Sequence, residues 1–341
     1  MRAMIVKEFR QLRRDRRTLA MMIVMPVLLL VILGYAASFD VSEVPTVVAG
    51  PGAGAVARAL PKPLRLAGTY PASSPAWATD QLRDQHAAVA IVTGGPRPLV
   101  LVDGSQLFAA QAAERALSGS RGGTAGVVTR VLYNPQLKTS DIMIPGLAGV
   151  ILVFVGTVIT SLGVVRERQA GTLEQLAVMP LRPADVFLGK IVPYFAVAVA
   201  DLAIVLAVGV AVFGVPFRGS AAVFGLGALL FVFVTLGVGV LISSVSQTQG
   251  QAIQLAVMTM LPQILLSGLI FPLASIVAGV RWIAYLLPLT YFTQISRGVM
   301  LRAQPIGSLW PPFVYLALLG AAVTTLATWR FRAFLAPGEA K

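Results

Sequence analysis

The feature that most constrains this chain is a series of apolar blocks, each about the length needed to cross a ~30 Å hydrocarbon layer as a helix rising ~1.5 Å per residue. The first is residues 19–37 (LAMMIVMPVLLLVILGYAA), and others lie near 143–165, 190–213, 221–243, 252–272 and 310–330. Only 12% of the 341 residues are charged and 57% are hydrophobic. A soluble domain carries roughly 25% charged residues, so these blocks cannot share one soluble core. The expected fold class is an α-helical polytopic membrane protein with six transmembrane helices.

Residues 1–18 (MRAMIVKEFRQLRRDRRT) set Met4, Ile5, Phe9 and Leu12 near helical spacing among Lys7, Arg10, Arg13, Arg14, Arg16 and Arg17. This is an amphipathic elbow helix suited to a membrane interface. It precedes a first span at 19–39. An uncleaved span is favoured over a signal peptide because the apolar run exceeds the usual 7–15 residues.

Residues 40–140 differ in character. Short apolar runs (46–49, 64–67, 87–92, 99–102, 127–132) alternate with helix-like stretches at 52–60, 76–86 and 105–118, punctuated by Pro, Gly and Ser. They predict a small α/β domain between spans one and two. Residues 141–341 form a five-span core. Within it, 275–303 is too long for a turn and too apolar for water, and predicts re-entrant or interfacial helices.

Net charge is +13, and the basic residues flank apolar spans. They read as anchors against anionic lipid, with no nucleic-acid partner. Six spans put both termini on one side. That side carries Arg2 through Arg17, Arg166, Arg168, Arg182, Lys190, Arg330, Arg332 and Lys341. The opposite short loops carry Arg218, Arg281, Arg297 and Arg302. The positive-inside rule makes the termini cytoplasmic and the 40–140 domain extracytoplasmic, in a bacterial-type inner membrane. There is no cysteine, and His86 is the sole histidine. Thiolate and His-rich metal sites are therefore excluded, and His86 reads as a surface residue.

The stretch 165–193 (VRERQAGTLEQLAVMPLRPADVFLGKIVP) is more than a connector. Thr172 can cap a short helix, with Glu174 in its first turn where the helix dipole favours negative charge. Leu173, Leu176 and Ala177 give it an apolar face that needs a covering surface, and Pro180 stops it. Arg166, Glu167, Gly171, Thr172, Glu174, Leu176, Pro180 and Leu181, then Gly189, Lys190 and Pro193, follow the pattern R-E-x-x-x-G-T-x-E-x-L … P-L … G-K-x-x-P.

That pattern resembles the permease subunits of type-2 ABC exporters, the multidrug-type branch with an extracytoplasmic insertion. The likeness extends over nearly the whole chain. It takes in the basic elbow, Tyr133-Asn134-Pro135, Val215-Pro216 with Gly219-Ser220, and the series Ser267-Gly268, Phe271-Pro272, Leu287-Pro288. It implies that 166–189 is a coupling helix docking into an ABC ATP-binding subunit, which holds the ATP and Mg; this chain holds no cofactor. It also implies a homodimer or a pair with a paralogous permease, and a periplasmic adaptor where the cell has one; the spans offer few charges to bind ions, which points to export of an amphipathic or hydrophobic (drug-like or lipid-like) substrate.

Absent motifs fit a non-enzymatic subunit. The sequence has no G-x-x-x-x-G-K-[ST] phosphate loop, G-x-S-x-G elbow or H-E-x-x-H pair. Asp201 is an acid inside a span, which reads either as a polar contact or proton relay in the translocation path, or as an interhelical hydrogen bond to Gln254 or Gln263. Gly225, Gly227, Gly237 and Gly239 read as close-packing positions. Two other readings are carried: a mechanotransmitting ABC membrane protein with four spans, and an ion-coupled secondary transporter, which would need more intramembrane acids.

Overall fold

The computed structural model describes residues 41, 43–71, 74–119, 127–170 and 183–335. The expected elbow helix, the first span and the heart of the coupling segment, 171–182, lie outside them.

The five short apolar runs are five strands: β1 (Val44–Ala49), β2 (Leu64–Tyr70), β3 (Val89–Val92), β4 (Leu99–Asp103) and β5 (Val128–Leu132). Their order is β2-β1-β3-β4-β5. Pairing is parallel except between β3 and β4, where Val89 faces Val102. The helices α1 (Ala53–Arg58), α2 (Pro75–Arg83) and α3 (Leu107–Gly119) complete the domain. One cluster, with Val44, Val48, Ile91, Val102 and Ala110, and a second, with Val47, Leu82, Ala90 and Leu101, draw on alternate residues of the strands. Alternate side chains of a strand point to opposite faces, so both faces of the sheet are covered. That is why β3 is buried at every position.

The single antiparallel pairing has a topological result. The start of β1, the start of β3, the end of β4 and the end of β5 all fall at one end of the sheet. The chain enters and leaves the domain there, and Asp103 closes the same edge.

Beyond the domain the chain is helical: α4 (Thr139–Val153), a π turn (Phe154–Ile159) and α5 (Thr160–Gln169) run as one rod, followed by α6 (Pro183–Ala211), α7 (Ala221–Val245), α8 (Gln249–Leu266), a 3-10 turn (Leu273–Ser275), α9 (Ala278–Ala284), α10 (Pro288–Met300) and α11 (Ile306–Leu335). Among the described residues, four helices are long and apolar enough to cross a membrane: Thr139–Arg166, Val192–Ala211, Ala221–Val245 and Ile306–Arg330. The expected span at 252–272 is shorter than read. Its helix stops at Leu266, and Gly268 takes φ +81°, a conformation that ends helices. At ~1.5 Å per residue α8 reaches about 27 Å.

The bundle core is aromatic and aliphatic. Phe231 and Phe292 stack at 4.5 Å, and Phe224 meets Phe292 edge-on at 6.1 Å. α10, only 13 residues long, is buried along almost its whole length between α4, α7 and α11. A helix too short to span is tolerated at membrane depth when protein surrounds it. By contrast, only 17% of the α6 span and 22% of the α11 span is buried, against 61% for α4–α5 and for α7. Val192, Val197, Ile204, Val208, Trp310, Leu318 and Trp329 point outward from these two helices. They face lipid or another apolar surface.

Candidate functional site

Two regions of the helical layer concentrate polar chemistry, one at each end of the α4–α5 rod. The rod begins beside the α/β domain and, over the 28 residues of its span, extends about 42 Å. Its far end is where the segment expected to couple starts. There Arg166 Nε donates to Gln249 Oε1 at 3.2 Å, and Gln249 Nε2 donates to Gln169 Oε1 at 2.9 Å. Thr248 Oγ1 caps α8 by accepting from Gln251 N, and Gln251 Oε1 accepts from Gln247 N at 3.0 Å. The turn between α7 and α8 is thus tied to the end of α5 by side-chain amides. Of the residues read as coupling to an ATPase, Arg166 belongs to this cluster. Glu167 lies in the last helical turns beside it. Gly171, Thr172, Glu174, Leu176, Pro180 and Leu181 lie outside the described residues.

Asp201 sits mid-way along α6, partly exposed. Among the described residues no hydrogen bond joins it to Gln254 or Gln263. α6 and α8 share neighbours in α4, α5, the π turn and α7 but make no extensive contact with each other. Gln263 Nε2 instead donates to Thr259 O at 3.4 Å, and the side-chain oxygens of Gln254 and Gln263 are buried without a partner among the described residues.

The second region is the junction between the domain and the bundle, and sequence reasoning did not single out its residues as a site. Asp103 is fully buried and Arg302 is 3% exposed. Arg302 Nη1 donates to Ser105 Oγ at 2.7 Å, and Ser105 Oγ donates to Asp103 Oδ1 at 2.6 Å. Ser105 N and Gln106 Nε2 donate to the two carboxylate oxygens at 2.9 and 3.1 Å. Arg302 Nη2 also donates to Gln304 Oε1, and Gln304 Nε2 in turn donates to Arg83 O. With its amide oxygen turned inward, Gln85 accepts from both Arg302 terminal nitrogens at 3.1 and 3.0 Å. Leu107, Ile142 and Leu301 pack beside this network as a small apolar seal.

Burial raises the Asp103 carboxyl above its ordinary range, opposed by the Arg302 charge and the bonds from Ser105 and Gln106. Burial likewise lowers Arg302, opposed chiefly by Asp103. Burial and then the Asp103 charge push the Tyr133 phenol up to about 12. It stays protonated at neutral pH and donates to Thr79 O. Asn134 ties the domain exit to α4, accepting from Lys138 N at 2.9 Å and donating to Lys138 O at 3.0 Å.

Asp103 and Ser105 come from the far side of the sequence, 197 positions from Arg302 in the case of Ser105. The only local signal was a pair of arginines, Arg297 and Arg302, at the end of an otherwise apolar stretch. The described helical layer is a rod with a polar joint at each end.

Comparisons with known proteins agree. A family model described as ABC-2 family transporter protein matches residues 16–329. The probable multidrug ABC transporter permease YbhR of Escherichia coli K12 is 36% identical over 200 residues, 58% of this chain and 54% of the relative. The probable multidrug ABC transporter permease YbhS of the same strain is 29% identical over 340 residues, covering 89% of each. The inner membrane transport permease YhhJ is 32% identical over 208 residues, 60% of this chain and 55% of YhhJ. The match therefore spans about half the length of YbhR and YhhJ, and most of YbhS. With the family pattern running through almost all of the residues, this chain belongs to the ABC-2 family of transporter proteins.

Proposed function

We propose that this chain is the membrane permease of an ATP-driven exporter, coupling hydrolysis on a separate ABC ATP-binding subunit to export of an amphipathic or hydrophobic substrate. The observation that supports the proposal is the α4–α5 rod, which runs from the α/β domain to Arg166, the first residue of the segment read here as coupling. In this reading the chain has six spans, counting 19–39 and α8 with the four long helices. Both termini are cytoplasmic and the domain is extracytoplasmic, where it meets a periplasmic adaptor in cells that have one. ATP and Mg stay on the partner. Two copies, or this chain and a paralogue, form the pathway, with the apolar outer faces of α6 and α11 covered by the second copy and by lipid.

A residue such as Glu174, on a docking helix, would meet the ATPase directly. Glu174→Arg is expected to lower export from reconstituted vesicles about tenfold or more, because like-charge contacts at an interface cost several kcal/mol. Membrane insertion and the partner's basal hydrolysis should persist. Normal export by this variant would remove the coupling role.

Asp201 fits a polar position facing the pathway between copies, since the described residues of its own chain offer it no hydrogen bond. Asp201→Asn is expected to lower export about tenfold, the value of one charge-assisted hydrogen bond, with assembly unchanged. Full export activity would take the carboxylate out of the pathway.

The presence of four clearly long spans also suits a mechanotransmitting protein, which moves its outer domain without passing cargo. The absence of cysteine makes the distinction direct. Single cysteines placed at 2, 58, 170, 220, 247, 305 and 341, one on each side of every span, should change sides six times by impermeant labelling, and four crossings would favour mechanotransmission.

A further inference from the structure

A cavity of about 350 Å³ opens where the domain rests on the bundle. Its walls combine β1 and α3 residues of the domain with the start of α4, the segment after α8, and α10. Three of the six buried side-chain polar atoms that lack a hydrogen-bond partner among the described residues belong to residues lining it: Ser267 Oγ, Thr293 Oγ1 and Arg302 Nε. Native structures leave few such atoms, and clusters of them mark a missing ligand or water.

Arg297 stands among them. Its Nε donates to Ile142 O, Nη1 to Gly268 O and Nη2 to Leu269 O, at 3.1–3.2 Å. A guanidinium has five N–H groups, so one remains on each terminal nitrogen. Among the described residues Arg297 forms no ion pair. Arg302 is compensated by Asp103 through Ser105, and the acidic lining residue Glu43 is engaged by Arg65. The cavity is thus left with a fixed, fork-shaped positive charge, two free hydroxyls, and apolar walls from Phe108, Ile142 and Leu273. It lies at the level where α4, one of the four membrane-length helices, begins, and lipid headgroups sit at the ends of such helices.

We propose that this cavity, walled on one side by the α/β domain, binds a phosphate-bearing anion on Arg297, Ser267 and Thr293. The two sources of that chemistry are a phospholipid headgroup and free phosphate. The inference does not depend on the export reading.

The test uses the purified full chain in nanodiscs. Wild type should retain phosphatidylglycerol about tenfold over phosphatidylcholine by native mass spectrometry, because the two share a phosphodiester but the choline cation of the latter sets a like charge beside Arg297. Ser267→Ala with Thr293→Val, which preserves size, should abolish that preference. Arg297→Gln should do the same, and the hydroxyl pair decides the matter if Arg297→Gln fails to fold. The exposed-surface control Arg130→Gln should retain it. A thermal shift on adding inorganic phosphate to phosphatidylcholine discs, lost in the hydroxyl variant, would support the site with free phosphate as its source. Equal retention of the two lipids together with no phosphate response would overturn the proposal. So would a preference or a shift that the hydroxyl variant leaves unchanged.

Discussion

Asp103→Leu in the full-length chain is expected to cost about 3–5 kcal/mol, because it leaves a buried guanidinium without its counter-charge. Arg302 is almost inaccessible to water and reaches Asp103 through the Ser105 hydroxyl. Burial already weighs against both charges, so each is held by the other. Removing the acid alone strands Arg302, Ser105 and Gln106 together. The double variant Asp103→Leu, Arg302→Met should recover most of the loss, since an apolar pair of similar volume can replace a buried ion pair at little cost. Thermal unfolding of the detergent-purified protein, read together with limited proteolysis near residues 134–138, would measure both. A single variant within about 1 kcal/mol of wild type would show that the junction does not depend on this pair.

Gly239→Ala is the second large effect. A Cβ at Gly239 would collide with the Gly156 carbonyl oxygen, which is backbone and cannot rotate aside, and would press on Thr160 Cβ. Gly156 itself lies against Thr235. Here α7 crosses the π turn with little more than backbone between the two. Overpacking at such a contact typically costs about 1–3 kcal/mol, and backbone that must separate moves the entire crossing. Gly237 and Gly227 meet branch methyls of Val323 and Ile295 at 2.9 and 2.7 Å, side chains stiff at χ1 that must shift to admit a Cβ, whereas Gly225 faces open space. The four glycines of this helix should therefore separate: Gly225→Ala neutral or slightly stabilising, Gly239→Ala strongly reducing folded yield on size-exclusion chromatography. Equal yields for these two variants would mean that the close crossing is not required.

What the amino-acid order discloses follows from the range of the interaction. The strands were legible because each apolar run is bounded by Gly or Pro, and the inner strands β1, β3 and β4, buried on both faces, are nearly continuous apolar runs. The long spans were legible because hydrophobic length alone specifies them. The end of α8 was misjudged because residues 267–272 remain apolar, and it is the left-handed Gly268, not polarity, that stops the helix. The π turn left no trace, since Val, Gly, Thr and Ile suit an α-helix equally well. The junction was invisible for a stronger reason: Asp103, Ser105, Gln85 and Arg302 belong to three distant segments, and only the folded sheet edge assembles them. The family, by contrast, was legible in the coupling pattern and in the scattered Gly and Pro positions, and the match over residues 16–329 agrees.

The arrangement of the sheet's ends carries an evolutionary corollary. β1 and β5 are separated by two intervening strands, so the polypeptide goes in and comes out about 14 Å apart at ~4.8 Å per strand. A module attached by two neighbouring stalks can be enlarged, trimmed or exchanged for another while the lipid-embedded part keeps its shape. Such a swap would have one requirement: whatever replaced it would have to bring its own acid to Arg302, or arrive together with the loss of that arginine.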